Sequence, residues 1–399
     1  MPDWSRRALL RAGVGLGAGG ALGLGWYLQE RPFCRPRVDP RWTYHGTHLG
    51  PLVPTERALL APEGYGVTGG SDHRLAALDP DHGQARWTTV AEGGGFGRPA
   101  VHDGCVYVGT GLDTVRALDA ETGRIDWEYD AGGVDESGGG AWGRPLVVDD
   151  RVYVGVSHSD DPDADPTDST AYTHRLVALD AADGSELWTT EVTTGTWAGP
   201  VSAAGVVVAG TEDGILRGFA PETGEVRWEF SLPGGLRHRP IVVGDFLTLV
   251  AVDGTAVYVD VPAGTIRRTA KAIDGTAAVA RSGDSLYLGS ESGRVVSMAT
   301  TPSSDLLRWP VRWEYESDVP VGAIAPGEGS TFVVDQSGHL HHLADDGSRE
   351  TRVRLTEHRY DDRCGWVPDH EFATGAVLDG QSLFVASRWW LRSFYRGEL

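Results

Sequence analysis

Ala117-Leu118-Asp119-Ala120-Glu121-Thr122-Gly123-Arg124-Ile125-Asp126-Trp127 decides how this chain folds. Its alanine, aspartate, glycine and tryptophan keep one spacing and return along the chain. The same four residue types stand at Ala77, Asp79, Gly83 and Trp87, and again at Ala178, Asp180, Gly184 and Trp188. Degenerate copies follow at Ala220, Gly224 and Trp228, and at Asp260 and Gly264. The period is about forty residues, the length of one small supersecondary unit that cannot bury its apolar face alone. Such units must stack, so the repeat sets the architecture and assigns most of the chain to scaffold.

Working outward from the motif, one unit reads as four short strands. Pro99-Ala100-Val101 is extended and apolar, and Asp103-Gly104 is a hairpin turn. Val106-Tyr107-Val108-Gly109 is a second strand and Thr114-Val115-Arg116-Ala117-Leu118 a third. Asp119 to Gly123 turns the chain, the aspartate bonding nearby amides and the glycine supplying positive φ. Ile125-Asp126-Trp127-Glu128-Tyr129 is the fourth strand. Four antiparallel strands per forty residues describe a propeller blade.

Third strands recur at Leu75–Leu78, Val115–Leu118, Arg175–Leu179, Leu216–Phe219, Ala256–Val259, Val295–Met298, Leu340–Leu343 and Leu391–Phe394, giving eight. Fourth strands carry Trp87, Trp127, Trp188, Trp228, Arg268, Trp313 and Val353, giving seven before the chain ends at Leu399. The missing one is Arg41-Trp42-Thr43-Tyr44, which reads like Arg312-Trp313-Glu314-Tyr315. The expected fold is therefore all-β: an eight-bladed β-propeller over residues 36–399, closed by an N-terminal strand that completes the last blade.

The Ala-x-Asp-x-x-x-Gly-x-x-x-Trp repeat resembles the tryptophan-docking motif of the pyrroloquinoline-quinone-type propellers, from about Arg41 to the end. That family holds quinone-dependent dehydrogenases and also non-enzymatic scaffolds. The resemblance implies that each tryptophan packs between neighbouring blades. For the enzymes it also implies pyrroloquinoline quinone on a tryptophan floor, often under a disulfide of adjacent cysteines, with a calcium ion and an aspartate base. This chain has three dispersed cysteines, Cys34, Cys105 and Cys364, and neither an adjacent pair nor Cys-x-x-Cys-His. Lys271 is its only lysine, so arginines would have to meet the quinone's carboxylates. The expectation is the scaffold branch with no cofactor and no catalytic residue; pyrroloquinoline quinone with calcium is the alternative.

Residues 1–35 read as an address. Ser5-Arg6-Arg7-Ala8-Leu9-Leu10 resembles a twin-arginine export signal, followed by the uncharged, glycine-rich run Ala12 to Leu28. Trp26 to Glu30 interrupt any small-x-small cleavage site near the run, and Arg31-Pro32-Phe33 before Cys34 lacks a lipobox. The expectation is an uncleaved membrane anchor, release being the alternative, with the propeller outside the cytoplasm. The chain carries 56 acids against 35 bases, a net charge of −21. That balance repels nucleic acid and suits a salt-rich medium. An arginine-favouring genome explains the scarcity of lysine equally well.

Two places carry candidate site residues. The links from fourth to first strands repeat as Phe96-Gly97-Arg98-Pro99, Trp142-Gly143-Arg144-Pro145, Trp197-Ala198-Gly199-Pro200 and Arg237-His238-Arg239-Pro240. In a propeller these links and the second-to-third-strand links share the face around the central funnel. Phe96, Arg98, Trp142, Arg144, Trp197, Arg237, His238 and Arg239 would then ring one opening, fit for a carboxylate, a phosphate or an acidic peptide. The competing expectation is that each Arg-Pro pair only starts an inner strand, its arginine paired with a neighbouring blade's carboxylate. The second place is the acidic insertion Asp160 to Asp168, where Asp161, Asp163 and Asp165 alternate as in a calcium loop. Pro166 stands where such a loop needs glycine, and no glutamate closes it at Tyr172. His341-His342 should point to opposite faces of a strand and chelate poorly. The partner is expected to be a protein or a small anion, the further alternative being a carbohydrate- or peptide-binding receptor that uses Trp142 and Trp197 for stacking.

Overall fold

The computed structural model describes residues 38–66, 73–92, 94–132, 139–161, 165, 168–303, 309–355, 358–359, 367–368 and 373–399. The signal segment, Cys34, Asp163, Cys364 and His370 lie outside them.

Eight four-stranded antiparallel sheets make the body. In the blade read from sequence the strands are Ala100–His102, Cys105–Gly109, Thr114–Asp119 and Ile125–Asp130. Burial explains their order. The second strand is buried from Val106 to Gly109, whereas the fourth alternates, with Ile125, Asp126 and Glu128 outside and Trp127 inside. Inner strands therefore read as continuous apolar runs and outer strands as half-buried ones. Cys105 opens its strand as a half-buried free thiol.

The ring closes through the N-terminus. Trp42–His45 pairs antiparallel with Trp390–Tyr395 and completes the eighth blade. Trp42 then leans on the first blade, its Nε1–H donating to the Pro80 carbonyl at 3.0 Å. One short strand thus bonds to the last blade while its side chain reaches the first.

The same geometry recurs at the motif tryptophans. Trp87 donates to the Ala120 carbonyl at 3.0 Å, Trp127 to Ala181 at 2.9 Å and Trp188 to Pro221 at 2.8 Å, each acceptor lying in the next blade's turn. The ring packs on that turn's glycine. A Cβ at Gly123 would lie 2.5 Å from Trp87 Cε3, and Gly123 has φ of 70°. Glycine is needed there twice over, for the left-handed backbone and for the ring's approach. The aspartate caps its own turn, Asp119 Oδ1 accepting from the Thr122 N–H at 2.8 Å and the Glu121 N–H at 3.2 Å.

Blade 5 departs from the pattern. Its fourth strand, Thr265–Lys271, carries Arg268 where every other blade except blade 7 carries tryptophan. Trp309, from the turn region of blade 6, meets Tyr258 edge-on at 6.2 Å and is almost wholly buried. The filling is incomplete: a cleft of about 320 Å³ remains between the two blades, lined by Arg268, Met298 and Trp309 among others.

Among the described residues, no helix is long and apolar enough to cross a membrane. The two helical segments are single 3-10 turns, Ser169–Ala171 and Arg396–Glu398.

Candidate functional site at the funnel face

Backbone bonds knit the links on one face into a ring. Phe96 bridges to Thr110, Gly97 N–H donates to the Gly109 carbonyl at 2.9 Å, and Ala141 N–H donates to the Thr110 carbonyl at 2.9 Å. Glu212 N–H reaches the Gly195 carbonyl at 3.2 Å and Val252 N–H the Gly235 carbonyl at 2.9 Å. Each of these four fourth-to-first links is therefore bonded to a second-to-third link. Arg98 N–H donates to the Trp142 carbonyl at 3.3 Å, across one blade boundary.

Three guanidiniums converge inside this ring, from blades 2, 3 and 5. Burial lowers the pKa of Arg98, with Tyr65 opposing the shift. Burial and then Arg98 lower that of Arg144. Burial, then Arg144 and Arg98, push Arg239 down to about 9. Each shift reports a cation held away from water, and those of Arg144 and Arg239 also report neighbouring arginines. Arg239 Nη2 donates to the Pro200 carbonyl at 2.9 Å, whereas the Nε atoms of Arg98 and Arg144 are out of solvent and have no hydrogen-bond partner among the described residues. His238 joins them, pushed down to about 4 by burial, with Arg98 and Arg237 adding to the effect. It is neutral at neutral pH, so the positive charge rests on the three arginines.

The aromatic wall differs from its sequence reading. Phe96 is fully buried in the core between blades 1 and 2 and presents no ring to a ligand. Trp142 is also buried, its Nε1–H donating to the Gly139 carbonyl at 3.2 Å. Trp197 stacks on Trp142 with centroids 6.1 Å apart and planes within 6°, and is the ring that keeps exposure. Tyr65 meets Trp142 edge-on at 6.3 Å. Arg237 departs as well: it is exposed and lies 3.7 Å from Glu212, whereas the Arg-Pro arginine of the same link, Arg239, bonds to the Pro200 carbonyl.

Tyr65 is the site residue that sequence reasoning missed. It follows the second strand of blade 1, in a link facing the funnel, but carries no repeat signature that marks it. The alternation Asp335-x-Ser337-x-His339-x-His341 was a legible signal for a second buried cluster. Asp335 is fully buried at the start of blade 7's second-to-third link, and its Oδ2 lies 3.0 Å from His341 Nε2 and 3.4 Å from Arg352 Nη2. The Tyr315 hydroxyl lies 2.7 Å from His341 Nδ1. His342 points the other way, stacked on Phe332 at 4.6 Å.

The acidic insertion lies in the second-to-third link of blade 3, on the funnel face. Asp161 and Asp165 are exposed; Asp168 caps the following turn, accepting from the Thr170 N–H at 2.9 Å. Among the described residues, no three His, Cys, Asp or Glu side chains are grouped so as to hold a metal ion. Calcium on a quinone needs carboxylate and amide oxygens around it. Guanidiniums are what converge in the funnel, and this donor set does not fit that ion. On the opposite face a hollow of about 1110 Å³ lies among turns of blades 1, 2 and 8, where Arg57 is paired with Glu121.

Comparison with known proteins agrees with the repeat. BamB of Moraxella catarrhalis superposes with a TM-score of 0.62 at 17% identity, over 89% of this chain and 96% of that one. Sqt1 of Saccharomyces cerevisiae gives 0.63 at 10% identity, over 90% and 99%. A europium-containing methanol dehydrogenase gives 0.63 at 13% identity, over 88% and 84%. At such identities the likeness is one of fold alone. A search of curated proteins finds no sequence match. The family described as outer membrane protein assembly factor BamB matches residues 43–165 and 172–389, and with most of its length so matched the chain belongs to that family.

Proposed function

We propose that this protein is a non-catalytic binding propeller, exported and tethered through its N-terminal segment, whose ligand-facing surface is the funnel. One observation carries the reading: Arg98, Arg144 and Arg239 sit on bonded links of one face within electrostatic reach of one another, the Arg98 and Arg144 Nε atoms are buried without a partner, and none of the three is paired with a carboxylate among the described residues. Like charges drawn together and partly out of water cost free energy in the empty protein, and an anionic ligand offsets that cost on binding. The repeat tryptophans are read as scaffold, because Trp42, Trp87, Trp127 and Trp188 use their N–H groups between blades and Trp228 packs its ring on the next blade's Gly264. Export rests on the Arg6-Arg7 segment and on a net charge of −21, suited to a salt-rich medium.

Turnover tests the reading directly. Full-length protein is incubated with pyrroloquinoline quinone and calcium, then assayed with primary alcohols, aldoses and an artificial electron-accepting dye. No dye reduction above the quinone alone is expected. Saturable, enzyme-proportional reduction would replace this reading with a quinone-dependent oxidoreductase. Fractionation tests tethering: the chain should stay with membranes after a salt wash, and changing Arg6 and Arg7 to lysine should leave it inside the cell.

A further inference from the structure

Resting on the reading of the funnel as the binding face, we propose that Arg98, Arg144 and Arg239 form a single receptor site for a compact oxyanion carrying two or more negative charges, such as phosphate or a short dicarboxylate.

Charge count argues for a multivalent ligand. Three guanidiniums share the site and His238 adds none, so a monovalent anion would leave two cations facing each other. A dianion or trianion removes most of the repulsion in one step, and the guanidinium fork matches both carboxylate and phosphate oxygens. Shape argues for a compact one. Blade 4 places Gly199 where blades 2, 3 and 5 place arginine, and Gly199 is packed so closely on the Arg144 backbone that no side chain fits. Its φ of 73° sets the same limit. That interruption opens the arginine row between Arg144 and Arg239, and the Pro200 carbonyl beside it fixes one Arg239 nitrogen. Trp197, two residues before Gly199 and stacked on Trp142, keeps part of its ring exposed, which favours a ligand whose charges lie at one end or edge. Field argues against an acidic polypeptide: a chain of net charge −21 repels an extended polyanion along its whole approach, while a small anion feels mainly the local cluster.

Isothermal titration of the full-length protein, at fixed ionic strength and pH 7.5, tests this with phosphate, succinate, acetate and a glutamate-rich decapeptide. Phosphate or succinate is expected to bind saturably, at least tenfold tighter than acetate. Arg144→Ala and Arg239→Ala should each weaken that binding tenfold or more. Arg237→Ala should leave it within twofold, because Arg237 is exposed and sits beside Glu212. Should an alanine variant unfold, Arg144→Lys and Arg239→Lys keep the charge, lose the fork and are expected to lie between wild type and no binding. Equal binding of acetate overturns the charge requirement, and tighter binding of the decapeptide overturns the small ligand. Equal losses in Arg237→Ala and Arg144→Ala overturn the site. Absence of any dianion binding defeats this inference while leaving the non-catalytic reading intact; dye reduction by quinone-loaded protein defeats that reading whatever the anions do.

Discussion

Single residues separate the roles of the repeated tryptophans. Trp188 donates its indole N–H to Pro221, while Trp228 lies against Gly264 with its Nε1 buried and unpartnered. Trp188→Phe should therefore cost about 1 kcal/mol for the lost bond, and Trp228→Phe should be neutral or stabilising. Urea unfolding of the two variants side by side checks the contrast. Gly123→Val meets both the Trp87 ring and the left-handed backbone, and should cost more than either. These tryptophans were legible in the sequence because most blades repeat the same contact. Tyr65 was not, because it acts once and at a distance set by the closed ring.

At the scale of elements, the strand Trp42–His45 is the closure. Its absence would unpair Trp390–Tyr395 along one edge and leave the Pro80 turn without Trp42. A chain beginning at residue 47 should melt well below one beginning at residue 38, and Trp42→Ala alone should cost about 3–5 kcal/mol. A peptide of residues 38–48 added in trans should restore part of the difference, measurable by scanning calorimetry. Blade 5 invites the opposite change. Arg268→Trp restores the repeat residue beside the cleft of about 320 Å³, and should raise the midpoint provided that Trp309 keeps its place.

Over the whole molecule, electrostatics sets the response to medium. With net charge −21, self-repulsion is long-range, and raising salt from about 0.1 M to 1 M shortens the screening length from about 10 Å to 3 Å. The unfolding midpoint should rise accordingly. A buried group adds a pH term. Asp113 is pushed up to about 7 by burial and then by Asp130. The folded state therefore holds a proton that the unfolded chain releases near pH 4, and this group lowers stability as pH climbs from about 4 to 7. Asp335 acts in the opposite direction: its carboxylate is favoured by His339 and His341 against burial, so its contribution is present above about pH 4 and lost below. Asp113→Asn should flatten the decline between pH 4 and 7 by a few kcal/mol at most, read from urea midpoints across that range.

The sequence by itself determined the blade, the number of blades, the closing strand and the face that carries the arginines. These follow from local periodicity and from a contact repeated between neighbours, and both leave a regular mark on the chain. Only the tertiary structure decided which of the funnel residues meet. Phe96 and Trp142 turned inward, Arg237 turned out beside Glu212, and Arg98, Arg144 and Arg239 came together without a counter-charge among the described residues. The physical reason is closure. Residues Arg98 and Arg239 lie more than a hundred positions apart, and only the curvature of the complete ring brings their charges within reach of each other.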